Sequence, residues 1–599
     1  MQQLSGLVTD VDAADYPSLS IIPTTVISAV RMHFRVAGYA LPGDGGAQVR
    51  KRISAPGVAE LWHTQSADGA WWEMVVDGPV PIERLGGGTS KSAAANVAAI
   101  AAAMAFAREV TAASVGVYEV DGTLVIRNGA TLVGRRSGQR PTLQFPSTAE
   151  PSNTTSRAAI ALDDSKTSLV GWEIEVLGGD YRRTIDMGGG DSQVCTRNKI
   201  TVSTLDVASD THFAIFCADD APYYRCEISE NEVTGTCNRP LEGIQVGNMR
   251  DGDIVQNYIH DIAGTGADKF IWGIYCSNKC YGTRVNSNRV ENVNTGGIHI
   301  ANHTDGVTND FGRQCSFNSV RNVLFIGISL DNTNGTVAVG NDISGADLPV
   351  GIVGSVSAEW SGGVVKTMIN PGSPISVNMP LINVGSAVDT KIRGVTFGAG
   401  GDALHGVYSD SARTVIAGCS VLAAAPKSAI RLNGVSSIAH GNNIALSTDT
   451  APADRIDLGA NDCVAVGNIV TSGSAQRGVR ARGDRCLISG NRIAGGSNNI
   501  WLDSSSTSCE TTGNLLSGAT SAAFANNGTG NLMHEVDTFV RSSTSSTNLA
   551  NAAHAINTVS KVAGKLCYVT SNATTYRARG AAATDVWDPV GGGTAVAPA

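Results

Sequence analysis

Charged and polar residues occupy matching positions in four copies of a repeated phrase, apolar–x–x–Asn–x–apolar. The residues that directly precede the first apolar position are Glu227, Asp253, Arg284 and Gln314. If the apolar residue points into a core, the residue before it points outward, because side chains alternate along a strand. Carboxylates on neighbouring rungs of a stacked structure can reach the separations of roughly 5–9.5 Å that glycosidases use. Glu227 and Asp253 are therefore candidates for a hydrolytic pair.

A second phrase, Gly–Ile–x–x–x–Asn, supplies side chains for a different reaction. It occurs as GIQVGN, GIYCSN, GIHIAN and GISLDN, and its outward positions hold Gln245, Tyr275, His299 and Ser329. Tyr275 and His299 are suited to act as acid and base in a β-elimination, with Arg284 neutralising the charge of the substrate. The alternative for Arg284 is a surface ion pair with Asp253. Outward charges in general also serve simply to keep a repeat protein soluble.

Substrate contacts are expected between residues 206 and 310, where polar and aromatic residues concentrate. The candidates are Trp272, Gln245, Tyr224, His260 and Glu291, of which His260 and Glu291 share a third outward ladder with Thr234 and Arg321. The repeats are longer here than after residue 443, and extra residues form loops, which carry binding sites on a rigid scaffold. The later, shorter repeats are interpreted as a stalk.

Neither a metal nor a cofactor is predicted. His299 stands near His303 and Asp305, but their spacing is irregular for a metal site. The twelve cysteines form no CxxC pair. Cys226, Cys463, Cys486 and Cys509 each precede a repeat asparagine by five residues, which predicts stacked, buried thiols rather than disulfides.

The repeats specify the elements that must position these side chains. The asparagines of the first phrase, Asn231, Asn257, Asn288 and Asn318, follow one another at spacings of 26, 31 and 30 residues. Looser copies centre on Asn341, Asn443, Asn468, Asn491 and Asn514. Such a period of short strands predicts a parallel β-solenoid, in which asparagines at one turn form a ladder between coils and tolerate left-handed geometry.

Composition limits the class of protein and its partners. Charged residues make up 16% of the chain and the net charge is −9, without a basic stripe, which argues against nucleic-acid binding. The start lacks the features of a signal peptide, and no apolar stretch is long enough for membrane insertion. We expect an N-terminal domain over residues 1–85, a β-helix over 86–530 and a C-terminal module over 531–599. The β-helix is expected to contain a capping helix at about 92–110 and an irregular insertion at about 346–404.

Three segments carry a family resemblance. GYALPGDGGA with DGAWWEMV, PIERLGGGTSKSAAANVAAIAAAMAFA, and GKLCYVTSNATTYRARGAAATDVWDP resemble parts of bacteriophage tailspike or tail-fibre proteins of the pectate-lyase-like superfamily. Leu85 to Gly88 replace the Phe-Gly-Ala common in the entry motif, and Ser90 to Ser92 replace its acidic cluster.

The resemblance implies an all-β fold, a right-handed single-stranded parallel β-helix, in a homotrimer. It implies a virion protein, made in the host cytoplasm, that attaches to phage tail or baseplate proteins through its N-terminal region. It further implies action on a bacterial surface polysaccharide, lipopolysaccharide or capsule, by hydrolysis or β-elimination. The alternatives are a non-catalytic receptor-binding adhesin and a bacterial pectate-lyase-type lyase or epimerase.

Overall fold

The structure is a computed structural model of the 599-residue chain. It describes residues 15–135, 138–146, 148, 157–203, 211–238, 240–264, 271–277, 279–302, 312–366, 379–398, 405–422, 428–445, 454–473, 476–534, 546–553, 555–558, 561, 566–569, 574–580, 582–590 and 594–599. These residues fall into two compact units that divide between Val323 and Leu324. His303 and Asp305, considered above for a metal site, lie outside the described residues.

Both units are built from coils of three short parallel strands, which confirms the predicted parallel β-helix. The strands of each coil are named here first, second and third in chain order, and strands of the same name stack into one face. In the first unit, Ile228, Ile254, Val285 and Cys315 point into the core and are fully buried. The predicted alternation on this face is therefore confirmed, and the residues that precede these four point outward.

The strands of the first unit stack in register from coil to coil. The first face comprises Val80–Pro81, Glu109–Thr111, Thr131–Val133, Ser168–Val170, Val194–Thr196, Glu227–Ser229, Asp253–Val255, Arg284–Asn286 and Gln314–Ser316. The second face comprises Val117–Glu119, Thr142–Phe145, Glu173–Val176, Lys199–Ser203, Glu232–Cys237, Tyr258–Gly264, Arg289–Val293 and Ser319–Arg321. The third face comprises Leu124–Ile126, Ala158–Leu162, Arg183–Asp186, His212–Tyr224, Leu241–Arg250, Trp272–Ser277 and Gly296–Ala301.

A buried asparagine ladder closes the corner between the first and second faces. The Oδ1 atom of Asn257 accepts bonds from the backbone N and the Nδ2 of Asn231, at 3.1 and 3.0 Å. The Oδ1 of Asn288 accepts the same two bonds from Asn257, and the Oδ1 of Asn318 accepts them from Asn288. The ladder confirms the predicted bond between coils, and it satisfies polar groups that burial would otherwise leave unpaired.

The left-handed backbone of this corner belongs to the residue before each ladder asparagine. Glu230, Gln256 and Ser287 have φ angles of 53°, 57° and 57°. The tolerance of asparagine for this geometry is therefore not used at the ladder position itself. The tight corner requires one residue of positive φ, and the asparagine after it turns its side chain inward to bond.

The second unit repeats the coil. Its first face comprises Val337–Val339, Glu359–Ser361, Lys391–Arg393, Val415–Ala417, Ile438–His440, Val464–Val466, Leu487–Ser489, Glu510–Thr512 and Leu532–His534. Its second face comprises Asp342–Ser344, Val364–Lys366, Thr396–Phe397, Ser420–Val421, Asn443–Ala445, Ile469–Ser472, Arg492–Gly495 and Leu515–Ser517. Its third face comprises Ile326–Asp331, Leu348–Val353, Ile382–Gly385, His405–Ser409, Ser428–Leu432, Asp454–Leu458, Arg477–Ala481, Asn498–Leu502 and Ala522–Asn526.

The asparagine phrase lapses between residues 346 and 404, but the coil does not. Strands of all three faces continue through the described residues of this stretch. The ladder position, directly before the second strand, holds Gly363, Val395 and Cys419. The ladder then resumes at Asn442, which bonds to Asn468. Asn443, which the sequence placed in the ladder, is exposed at the start of its strand.

The cysteines are buried free thiols, as predicted from their register. Cys463, Cys486 and Cys509 are stacked at one position of successive coils, and the backbone N of Cys486 lies 3.4 Å from the Sγ of Cys509. Burial raises the pKa of Cys463, so the neutral thiol is the favoured form and behaves as a small apolar side chain.

An N-terminal module precedes the coils. A 3-10 helix, Leu19–Thr24, and an antiparallel sheet of His33–Val36, Gln48–Ile53, Trp71–Met74 and His63–Gln65 pack around Phe34 and Trp72. A second 3-10 helix, Ile82–Leu85, leads to an α-helix, Ala93–Phe106. The Ser92 side chain caps this helix by accepting a bond from the N of Ala95. No helix among the described residues is long and apolar enough to cross a membrane.

A small C-terminal module follows the last coil. It contains the short helices Ser546–Ala550 and Ala555–Thr558 and an antiparallel sheet of Leu566–Val569, Thr574–Ala578 and Trp587–Pro589. Trp587 is fully buried at its centre, and its Nε1 donates to Asn557 at 2.7 Å. This bond satisfies the one polar group of the buried indole.

Candidate active site

The third face of the first unit carries two outward ladders three residues apart. Arg183 aligns with Phe213 and Glu242, and Asp186 aligns with Phe216 and Gln245. The second ladder continues through Tyr275 to His299, as the Gly–Ile phrase predicted. The two longest strands of the unit, His212–Tyr224 and Leu241–Arg250, lie in this face. The face is therefore wider here than elsewhere, which gives room for a binding surface.

Glycines of the phrase allow this packing. A Cβ on Gly243 would lie 2.4 Å from the backbone O of Gly273 on the next coil. A Cβ on Gly296, which directly precedes the copy of the phrase that begins at Gly297, would lie 2.2 Å from the ring of Trp272. Both distances are far below a normal contact, so the sequence pattern reflects close approach of neighbouring coils.

Two outward carboxylates on this face are shielded from solvent. Asp186 and Glu242 are each 7% exposed. Asp186 accepts a bond from the Nη1 of Arg183 at 2.7 Å and one from the backbone N of Gly188 at 3.2 Å. The Arg183 guanidinium in turn lies 3.7 Å from the ring centroid of Phe216, a cation–π contact. The Asp186 carboxylate is therefore held in one position.

An aromatic cluster continues the same face. The His299 ring lies 4.4 Å from Trp272 and stacks on Tyr275 at 5.0 Å, with an interplanar angle of 11°. Trp272 and His299 are 5% and 9% exposed. Among the described residues, the buried Oε1 of Gln245 has no hydrogen-bond partner. A polar acceptor beside flat rings is suited to bind the hydroxyl groups and the apolar face of a sugar.

The sequence-predicted acids lie on the first face. Glu227 is directly opposite Asp253, and Asp253 is opposite Arg284. Glu227 accepts a bond from the Oγ of Ser229 at 2.6 Å. Arg284 binds Asp253 through Nε and Nη2, both at 2.6 Å. These bonds raise the pKa of Arg284, so both carboxylate oxygens of Asp253 are engaged by a permanent cation.

The remaining predicted contacts lie elsewhere. His260 and Glu291 are neighbours on the second face. Burial acts to raise the pKa of Glu291, but bonds from Arg289 and Tyr258 outweigh it and lower that pKa. Tyr224 ends a strand of the third face, where its hydroxyl accepts a bond from Arg250 at 3.2 Å.

The structure thus brings together Gln245, Trp272, Tyr275 and His299, and separately Glu227, Asp253 and Arg284. It does not unite Arg284 with Tyr275 and His299, which belong to another sheet. Sequence reasoning missed Asp186 and Glu242. Glu242 directly precedes the Gly–Ile phrase, at the position that Trp272 occupies one coil later, so the phrase itself contained that signal. Asp186 stands outside any copy of the phrase.

No protein-family model matches this chain, and no curated protein matches it. Phage proteins are among the solved structures that resemble it. Full-length tailspike protein 2 of Escherichia coli O157:H7 bacteriophage CAB120 is 13% identical with a TM-score of 0.37, over 69% of this chain and 52% of that one. The chain thus spans about half the length of that protein.

Two further structures are similar at the same level. Gene product 12 of bacteriophage phi29, in its pre-mature form, is 12% identical with a TM-score of 0.41, over 76% of this chain and 73% of that one. The tailspike protein of E. coli bacteriophage HK620, in complex with a pentasaccharide, is 10% identical with a TM-score of 0.34, over 66% and 71%. At these values the likenesses assign neither activity nor substrate to this chain.

Proposed function

We propose that this chain is a phage tailspike that binds a bacterial surface polysaccharide, lipopolysaccharide or capsule, on the third face of its first unit and cleaves it by hydrolysis. One observation carries the proposal: two shielded carboxylates, Asp186 and Glu242, share a face with the ring cluster of Trp272, Tyr275 and His299. Rings that flank acids provide both a sugar-stacking surface and the acid–base groups that glycosidic cleavage requires.

Asp186 and Glu242 divide the chemistry between them. Asp186 is fixed by Arg183 and by the backbone of Gly188, which suits a base that orients an attacking water. Glu242, which is 7% exposed beside the ring cluster, is proposed as the acid that protonates the leaving oxygen. Phe213 and Phe216 lie on the coil between the two acids. Gln245, on the coil of Glu242, and Trp272 and Tyr275, on the next coil, are proposed to hold the sugar chain beyond them.

The register favours inversion at the anomeric carbon. Asp186 and Glu242 lie two coils apart, roughly 9.6 Å along the stack, and three residues apart along the strands, roughly 10 Å, so their backbones are about 14 Å apart. A retaining pair needs about 5 Å between carboxyl groups, whereas an inverting pair accommodates a water at about 6.5–9.5 Å. Side chains that extend toward each other shorten the distance between the two carboxyl groups, and the longer separation of an inverting pair is then the easier one to reach.

The second candidate reaction is β-elimination. The stacking of Tyr275 on His299 on neighbouring coils favours it, since an acid and a base then share one face. Arg284 is not available to neutralise the substrate at this site, because it belongs to the first face and binds Asp253.

Product mass distinguishes the two reactions. The chain is incubated with a panel of purified O-antigen and capsular polysaccharides, and reducing ends and product masses are measured. We expect new reducing ends on at least one polysaccharide. Each hydrolysis product should be heavier by one water than the corresponding elimination product. Binding without cleavage across the panel would instead indicate an adhesin.

We also propose an oligomeric state and a location for the chain. The three segments that resemble tailspike proteins support a homotrimer in the virion, attached to phage tail or baseplate proteins through the N-terminal module. These features rest on the sequence resemblance.

A further inference from the structure

The third face of the second unit carries a second polar surface, on coils that the sequence had presented as a plain stalk. It is called here the arginine patch and is defined by Tyr408, Arg431, Asp454, Asp457, Arg477, Arg480, Arg482, Trp501 and Asp503. Tyr408, Arg431, Asp457, Arg480 and Trp501 form one outward ladder across successive coils. Asp454 and Arg477 form a parallel ladder three residues away.

The aspartates of the patch lie beneath its arginines. The side chains of Asp454 and Asp457 are 10% and 5% exposed, whereas those of Arg431 and Arg477 are 28% and 22% exposed. Asp457 binds the Nε and Nη2 of Arg482 at 2.9 and 2.8 Å, and Asp454 binds Arg480 and Arg477. Four arginines face three aspartates, so the patch keeps one positive charge on a chain whose net charge is −9.

Arg431 and Arg477 are held in position by their neighbours but keep hydrogen-bond donors for a ligand. The Arg477 guanidinium lies 4.9 Å from the centroid of Trp501, and that of Arg431 lies 5.7 Å from Tyr408. The Nε of Arg477 lies 3.1 Å from the Oδ1 of Asp454. The Nε of Arg431 donates to the Oδ1 of Asn433 at 3.3 Å and lies 3.5 Å from the Oδ2 of Asp457. Among the described residues, neither side chain has a hydrogen-bond partner for its Nη groups. A guanidinium held over an aromatic ring, with Nη donors left for a ligand, is suited to bind a carboxylate.

We infer that the arginine patch is a second, non-catalytic binding site for an acidic polysaccharide, in which sugar carboxylates bind the Nη groups of Arg431 and Arg477. The inference rests on the proposed function only in that the ligand is a sugar chain. Coils repeat at about 4.8 Å, so an extended polymer lying along the stack meets both arginines. Such a site would hold the polymer independently of the site that cleaves it.

Removing either arginine leaves the fold supported. Asp457 keeps its pair with Arg482 when Arg431 is lost, and Asp454 keeps Arg480 when Arg477 is lost. Arg485 provides a matched control, because it also forms a pair between coils, with Asp462 at 2.7 Å, but is 59% exposed and lies outside the patch. Arg477→Lys retains the charge and removes the planar fork.

The test measures binding of the full chain to surfaces coated with polygalacturonate, alginate or neutral dextran. We expect binding to at least one acidic polymer and none to dextran. Arg431→Ala, Arg477→Ala and Arg477→Lys are each expected to weaken it at least about tenfold, in line with loss of a charge-assisted hydrogen bond, while Arg485→Ala binds as the unaltered chain does.

Three results would overturn the inference. They are no binding of the unaltered chain to either acidic polymer, full binding by the Arg431 and Arg477 variants, or an equal loss in Arg485→Ala. Thermal midpoints are measured in parallel: a fall in midpoint with unchanged binding would show that the network only holds the coils together. Hydrolysis is measured separately on the cleavable polysaccharide, so a failure of this site is distinguishable from a failure of the catalytic proposal.

Discussion

At the residue scale, the same outward position serves different ends on different faces. Asp253 is neutralised by Arg284 on the first face, whereas Asp186 and Glu242 are shielded beside aromatic rings on the third. The repeated phrase gave the register of the first face and so indicated Arg284 as the neighbour of Asp253. Asp186 stands outside any copy of the phrase, so its bond with Arg183 could not be predicted in the same way.

Exposed ion pairs between coils make the stability of the fold depend on pH. Hydrogen bonds from Arg413 and Arg485 lower the pKa of Asp389 and Asp462, respectively. A lowered pKa in the folded chain means that the stabilisation is complete above the unfolded value, near 3.9, and is lost as the pH falls through the folded pKa.

The change that tests this is Arg485→Ala. At neutral pH we expect it to lower the thermal midpoint only slightly, since the pair is exposed and screened by solvent. The difference from the unaltered chain should shrink as the pH falls below 4. Thermal melts between pH 3 and 7 measure it, and a difference that grows in acid would contradict the account.

At the element scale, the asparagine corner is the part of the fold that the sequence predicted best. The phrase repeats at the period of one coil, so its register could be followed without a structure. The shift from Asn443 to Asn442 shows the limit: both residues are asparagines, and only the position of the corner decides which one turns inward. Between Asn341 and Asn442 the ladder could not be followed in the sequence, because glycine, valine and cysteine replace the repeated asparagine there.

Asn442→Ala and Asn443→Ala form a matched pair at that corner. Asn442 bonds to the backbone O of Ile416, to Asn468 and to the N of Cys419. Its loss leaves buried groups unpaired at about 1–3 kcal/mol for each. We expect Asn442→Ala to lower the free energy of unfolding by at least about 2 kcal/mol and Asn443→Ala to change it by less than about 0.5 kcal/mol. Denaturant unfolding measures both, and equal effects of the two substitutions would show that Asn442 is not the ladder residue.

At the scale of the whole molecule, the predicted order of parts is an N-terminal module, stacked coils and a C-terminal module. The coils follow from the period and the apolar alternation. Assembly does not follow from either, because nothing in a solenoid repeat states how many chains associate.

The homotrimer is tested by light scattering coupled to size exclusion. We expect a particle of three times 61.8 kDa that persists on dilution. A stable species of 61.8 kDa would contradict this part of the proposal while leaving the site on the third face untouched.

The central claim is that Asp186 and Glu242, rather than the acids of the first face, cleave the polysaccharide. The most direct measurement is the initial rate of reducing-end release from the cleavable polysaccharide by Asp186→Asn, Glu242→Gln, Glu227→Gln and Asp253→Asn. We expect the first two variants to lose about 10²–10⁴-fold in rate, and the two first-face variants to stay within about twofold of the unaltered chain. Full activity in Asp186→Asn and Glu242→Gln, with loss in the first-face variants, would contradict the account.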